Sequence, residues 1–149
     1  MSRLPVTCVV DASVGIKLFV PEEYSEDVQR LFEESLADPD AALLVPDLFF
    51  IECTNILWKK VRRVEYPDDL AKENIADLKA LELASTPTLE LMERALEIAC
   101  THGVTAYDAC YVALAERSGI PLLTADDRLT RVLKDGLCSI VSLAGSSSE

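Results

Sequence analysis

Two kinds of apolar pattern alternate along the chain: short runs that are apolar at nearly every position, and longer stretches with apolar residues every three or four positions. Val6-Thr7-Cys8-Val9-Val10 is the clearest run. A strand wetted on one face alternates polar and apolar side chains, so a run this uniform predicts a strand covered on both faces, as in a parallel sheet. Residues 41–45, closed by Pro46, and residues 121–124 read the same way. Residues 139–143 form a last strand and 81–84 a candidate short edge strand.

Helical spacing fills the intervals. Residues 13–19 predict a short helix stopped by Pro21, and 22–36 a second one with Val28, Leu31, Phe32 and Leu36 inward. Asp38-Pro39-Asp40 is a turn. Residues 48–61 are a strongly apolar helix whose end is basic: Lys59, Lys60, Arg62 and Arg63. Pro67, with Asp68 and Asp69 behind it, opens a helix to about residue 80. A further helix begins around Thr86-Pro87-Thr88 and runs to His102, with Leu89, Met92, Leu96 and Ala99 as the expected inner face. Gly103 ends it. Residues 105–117, ended by Gly119, and 127–133 are the remaining helices. Strands alternating with helices predict an α/β class with a mostly parallel central sheet. Residues 1–144 read as one domain and 145–149 as a polar tail expected to be disordered.

Composition narrows the picture. Half of the 149 residues are hydrophobic, so the chain can bury a core. No apolar run approaches the roughly 18–20 residues of a membrane span, and no signal-peptide pattern precedes the first strand, which makes a cytoplasmic protein the expectation. The five cysteines (Cys8, Cys53, Cys100, Cys110, Cys138) are scattered in apolar or helical contexts without a CxxC pair, and read as reduced core residues. The net charge of −12 argues against a sequence-independent nucleic-acid coat, whose affinity rests on Lys and Arg. It permits an acidic metal-loaded site or a cationic protein partner.

Four acids stand where an acid is costly or oddly placed. Asp11 follows the first buried strand; ligands of open α/β sheets bind outside the carboxyl ends of strands, although an Asp there is also a good helix cap. Glu52 is the only acid inside the apolar helix, and an isolated buried carboxylate costs several kcal/mol unless compensated. Asn55 lies one turn on. Asp108 opens an Ala-rich helix and stands three residues after Thr105, the spacing of a capping box. Asp126 follows another buried strand, with Asp127 beside it, and could be a helix cap. Carboxylates gathered together repel one another, and a divalent cation would neutralise them; oxygen-only ligands suit Mg²⁺ or Mn²⁺. With His102 the lone histidine, a Ser–His–Asp hydrolase is disfavoured. Neither GxxxxGK[ST] nor GxGxxG occurs. A phosphate-accepting receiver domain fits poorly, because one acid follows the first strand and Leu122-Leu123-Thr124 leads to Asp126 rather than to a Lys.

In order, these segments resemble the PIN-domain family, and within it the VapC-type ribonuclease toxins of toxin–antitoxin pairs. The similar segments are Val9-Val10-Asp11-Ala12-Ser13 with Lys17 beyond; Pro46-Asp47-Leu48 running on to Glu52 and Asn55; Thr105-Ala106-Tyr107-Asp108 through Ala115; and Leu123-Thr124-Ala125-Asp126-Asp127-Arg128-Leu129. The resemblance implies a three-layer α/β/α PIN-like domain in which Asp11, Glu52, Asp108 and Asp126 converge on Mg²⁺ or Mn²⁺ and hydrolyse RNA. It implies that Ser13, Asn55, Thr105, Thr124 and Asp127 support those acids, Asp126 being preferred to Asp127 as the ligand. It also implies a cognate antitoxin, drawn to the acidic surface, and a homodimer. The basic residues Lys17, Lys59, Lys60, Arg62 and Arg63 are either RNA-backbone contacts or ordinary solvated side chains. A non-catalytic PIN-like module that binds a protein partner is the alternative reading.

Overall fold

The computed structural model describes residues 4–63, 65–133 and 136–147. Five short strands, β1 (Cys8–Val10), β2 (Leu43–Pro46), β3 (Ala84–Thr86), β4 (Leu122–Thr124) and β5 (Ile140–Ser142), form one sheet in the order β3-β2-β1-β4-β5. Every neighbouring pair is parallel. The three residues of β1 are fully buried at its centre, as the uniform apolar run predicts. The chain first builds outward from β1 to β3, then crosses back to lay β4 on the other side of β1. Such a reversal leaves a crevice outside the carboxyl ends of the two strands, here β1 and β4.

The helices are α1 (Ala12–Gly15), continued by a 3-10 turn over Ile16–Leu18, α2 (Ser25–Ala37), α3 (Leu48–Arg62), α4 (Asp68–Ala80), α5 (Met92–His102), α6 (Ala106–Ser118), α7 (Asp127–Val132) and α8 (Leu143–Ser147). They flank the sheet in a three-layer α/β/α arrangement. Helix α6 lies on β1, β2 and β4, and α5 packs on α6. Residues 109–115 of α6 are therefore all buried, which is why that helix shows no amphipathic stripe. On α1, Gly15 meets Phe49 of α3: a Cβ at Gly15 would stand 2.5 Å from Phe49 Cζ. This contact brings the segment after β1 close to α3.

Several expectations from the sequence are corrected. The inner face of α5 is Leu91, Ala95 and Ile98, whereas Leu89, Met92 and Leu96 are exposed. Both stripes obey the helical period. The small Ala95 suits close approach to α6, and the surface pairs Arg94–Glu116 (2.7 Å) and Arg117–Glu90 (2.8 Å) accompany this orientation. Strand β3 begins at Ala84, not at 81. Leu81 and Leu83 pack on the core from the preceding loop, while the edge strand itself is largely exposed. Leu36 and Cys100 are exposed, the other four cysteines are buried or partly buried, and all five are free. Residues 143–147 are helical, anchored by the fully buried Leu143, where a disordered tail is expected from 145; residues 148–149 lie outside the described residues. Among the described residues no helix is long and apolar enough to cross a membrane.

Candidate metal centre

Asp11 directly follows β1 and is 8 % exposed. It is not a side-chain cap: only its backbone carbonyl accepts, from the Val14 and Gly15 N–H groups at 2.9 and 3.0 Å. Its carboxylate Oδ2 instead accepts from the Thr124 hydroxyl at 2.8 Å and the Ser13 hydroxyl at 3.0 Å. Both hydroxyls also accept from the chain after β4, Thr124 Oγ1 from Asp126 N–H at 3.0 Å and Ser13 Oγ from Ala125 N–H at 3.1 Å. Asp11 is thus tied to the loop that carries Asp126. Burial pushes the Asp11 carboxyl above its usual range; the two hydroxyls oppose the shift and the charge of Asp108 adds to it.

Glu52 projects from α3, whose buried side is Phe49, Cys53 and Leu57. The phenol of Tyr111, on α6, donates to Glu52 Oε1 at 2.5 Å. Tyr111 is 1 % exposed, so its hydroxyl needs a buried acceptor and Glu52 supplies it. Burial raises the Glu52 pKa, the Tyr111 hydrogen bond lowers it, and Asp11 and Asp108 raise it again.

Asp108 sits in the first turn of α6, where its backbone N–H donates to Thr105 Oγ1 at 3.1 Å. The capping reading of Thr105 therefore holds. The Asp108 carboxylate meets Arg128 Nη2 at 3.4 Å, and the same nitrogen lies 3.8 Å from Asp126 Oδ2. Burial and the charge of Asp126 raise the Asp108 pKa, against the pull of Arg128 and Thr105. Asp126 also caps α7, with Oδ1 accepting from the Arg128 and Leu129 N–H groups at 2.9 and 3.4 Å. Asp127 turns away: its Oδ1 accepts from Ser142 at 2.6 Å.

One groove of about 800 Å³ is lined by Asp11, Glu52, Asp108 and Asp126 together with Ser13, Leu48, Ile51, Asn55, Trp58, Lys59 and Tyr107 among others. Four acids from four separate segments thus share the mouth of the β1–β4 crevice.

A family model for the PIN domain matches residues 8–134. The chain belongs to the PIN-domain family. It is 42% identical over 125 residues to Ribonuclease VapC3 of Pyrobaculum aerophilum, covering 81% of this chain and 90% of that one. The crystal structure of PAE2754 from Pyrobaculum aerophilum superposes with a TM-score of 0.64 at 25% identity, over 98% of this chain and 100% of that chain. A toxin–antitoxin complex from Klebsiella pneumoniae contains a chain of the same fold, with a TM-score of 0.59 at 13% identity over 91% and 97% of the two chains.

In this PIN domain Asn55 lines the groove but is exposed, with no hydrogen bond to the acids. Two residues at the acids escape the sequence reading. Tyr111 stands one helical turn past Asp108, and a tyrosine inside a small-residue helix was the available signal. Arg128 reads locally as an ordinary residue of a helix first turn. Lys17 and Lys60 converge on Glu22, at 3.3 and 3.1 Å, rather than on the groove.

Among the described residues, no group of three or more His, Cys, Asp or Glu side chains is arranged to hold a metal ion. The acids are engaged within the chain instead: Tyr111 holds Glu52, Arg128 stands by Asp108 and Asp126, and Asp126 caps α7. The donor set still suits a divalent cation. It is all oxygen, three of its carboxyls have pKa values raised in part by the charge of another acid of the set, and a guanidinium already bridges two of the acids. Mg²⁺ commonly keeps several waters and takes one or two carboxylates, so it does not require a closed protein cage.

Proposed function

We propose that this PIN domain is a divalent-metal-dependent endoribonuclease, the toxin of a toxin–antitoxin pair, with Asp11, Glu52, Asp108 and Asp126 holding Mg²⁺ or Mn²⁺. The observation that carries the reading is the shared groove: four acids from separate segments line the carboxyl end of the sheet at its switch point. The ribonuclease name of the 42% identical relative supports the reaction, and the fold shared with a chain of a toxin–antitoxin complex supports the setting.

When bound, the cation supplies polarisation of the scissile phosphate and a lowered pKa for an attacking water. The chain's own part is positional. Asp11 is held rigid by Ser13 and Thr124. Tyr111 occupies one oxygen of Glu52 and so fixes the direction of the other. Asp108 and Asp126 complete the negative site that a cation must neutralise before a phosphate can approach. Ser13, Thr105 and Thr124 support these acids through the hydrogen bonds described, whereas Asp127 belongs with Ser142.

A basic antitoxin segment complements the net charge of −12. Five free cysteines suit a reducing, cytoplasmic setting. The homodimer is part of this reading, and the mass of the purified chain in solution tests it. Incubation with RNA in Mg²⁺, Mn²⁺ or EDTA tests the activity: cleavage should require the metal, and undiminished cleavage in EDTA would overturn the proposal. One observation favours a second reading. The Arg128 guanidinium between Asp108 and Asp126 shows that the cluster accepts a basic side chain, as a module that binds a basic protein segment would. Absence of Mg²⁺ and Mn²⁺ binding in calorimetry, with no cleavage of a broad RNA panel, would establish that alternative.

A further inference from the structure

The fold does not use every large side chain around the groove. Ile51, Asn55, Trp58 and Arg62 follow one another on α3 at intervals of four, three and four, which makes one stripe along the helix. The helix packs through Phe49, Cys53 and Leu57, so this stripe is surplus to the core. Trp58 is 54 % exposed and Tyr107, on α6 beside Asp108, is 63 % exposed. Both line the groove that holds the four acids. The Arg62 guanidinium lies over the indole, 5.1 Å from its centroid, which braces the ring and places a cation beside it.

We propose that Trp58 and Tyr107 are stacking platforms for the unpaired bases of single-stranded RNA bound in the acid groove. This inference deepens the ribonuclease reading and rests on it.

Charge decides the kind of RNA. A duplex presents mainly phosphates and is gripped by dense Lys and Arg. Here the chain is strongly acidic, and two cations of the basic cluster region, Lys17 and Lys60, are taken up by Glu22. Lys59, lining the groove, Arg62, on the indole, and the exposed Arg63 remain as partners for a phosphate, few for a duplex. Affinity must therefore come largely from bases, whose faces are available for stacking only when they are unpaired. Trp58 lies about 9 Å along α3 from Glu52, so it would meet a base flanking the scissile phosphate rather than the one at it. Tyr107 adjoins Asp108 and would meet a base nearer the metal. Asn55, between Ile51 and Trp58 on the stripe, offers an amide to a base edge.

Trp58 is the sole tryptophan, so its fluorescence reports on the site directly. The full chain carrying Asp11→Asn, expected to block cleavage, is titrated in Mg²⁺ with a short mixed-sequence oligoribonucleotide, single-stranded or annealed to its complement. Saturable quenching by the single strand and little by the duplex is expected. In steady-state cleavage by otherwise native chains, Trp58→Ala and Tyr107→Ala should each raise KM roughly tenfold with a smaller change in kcat, and Trp58→Phe should restore most of the loss. Circular dichroism of these surface variants should match the parent. Quenching absent with the single strand, or equal with the duplex, overturns the inference. So does an unchanged KM in Trp58→Ala, including the case where that variant has lost only its affinity for a protein partner. If the native chain cleaves RNA while these outcomes occur, the stacking sites alone fail; if it cleaves none, the ribonuclease reading fails with them.

Discussion

The Thr124 hydroxyl donates to Asp11 Oδ2 at 2.8 Å across the β1–β4 boundary, and accepts from the Asp126 N–H at 3.0 Å. One fully buried side chain thus couples two of the four acids. Thr124→Val keeps the shape and deletes the hydroxyl. Metal affinity or cleavage should fall about 10–100-fold, the usual consequence of losing a hydrogen-bond partner of a ligand. Thr124→Ser should recover most of it. Calorimetry with Mn²⁺ beside a cleavage assay measures both, and native behaviour in the valine variant would show that the coupling is idle.

The Arg128 guanidinium stands between Asp108 and Asp126, where the proposed metal would sit. Exposed ion pairs are worth about 0–1 kcal/mol, so removing this competitor in Arg128→Gln should tighten Mn²⁺ binding, by up to about fivefold. Arg128→Lys should lie between the two. Equal or weaker binding by the glutamine variant would mean that the guanidinium does not compete with the metal.

The raised pKa of Asp108 has a defined sign in stability. Its folded-state value lies above the unfolded one, so in metal-free protein its favourable contribution is complete below about pH 4 and is lost as pH rises through the raised value. At neutral pH the ionised acid destabilises the fold. Asp108→Asn should raise the metal-free melting temperature at pH 7, and the advantage should vanish below about pH 4. Saturating Mg²⁺ should reverse the order, since only the native chain gains from tight binding. Melting curves across pH, with and without Mg²⁺, decide it; a variant less stable at pH 7 without metal would contradict the sign.

Gly15 stands against the Phe49 ring with no room for a Cβ. Gly15→Ala should destabilise the chain by about 1–3 kcal/mol, read as a lowered urea midpoint. An unchanged midpoint would mean that α1 and α3 separate freely.

Much of this was legible from residue order because the decisive signals were local. The apolar run into Asp11 marked the central strand, and Thr105 with Asp108 marked the start of α6. What was hidden depends on packing between distant segments. The period of α5 fits two stripes, and only contact with α6 selects Ala95 and Ile98 over Met92 and Leu96. The bond from Tyr111 to Glu52 joins residues 59 positions apart, and Arg128 meets Asp108 across 20. Neither pairing leaves a trace in local spacing. Asn55 shows the converse: it lies one turn from Glu52 in sequence, yet it faces the groove without a bond to any acid.

The most direct measurement compares the native chain and Asp11→Asn on the same RNA in Mg²⁺. Asparagine keeps an oxygen for the Ser13 and Thr124 hydroxyls while removing the charge, so the fold should survive. The account predicts metal-dependent cleavage by the native chain and a loss of at least about 100-fold in the variant, comparable to removing a principal electrostatic element of an active site. Cleavage by the folded Asp11→Asn chain at the native rate would contradict it.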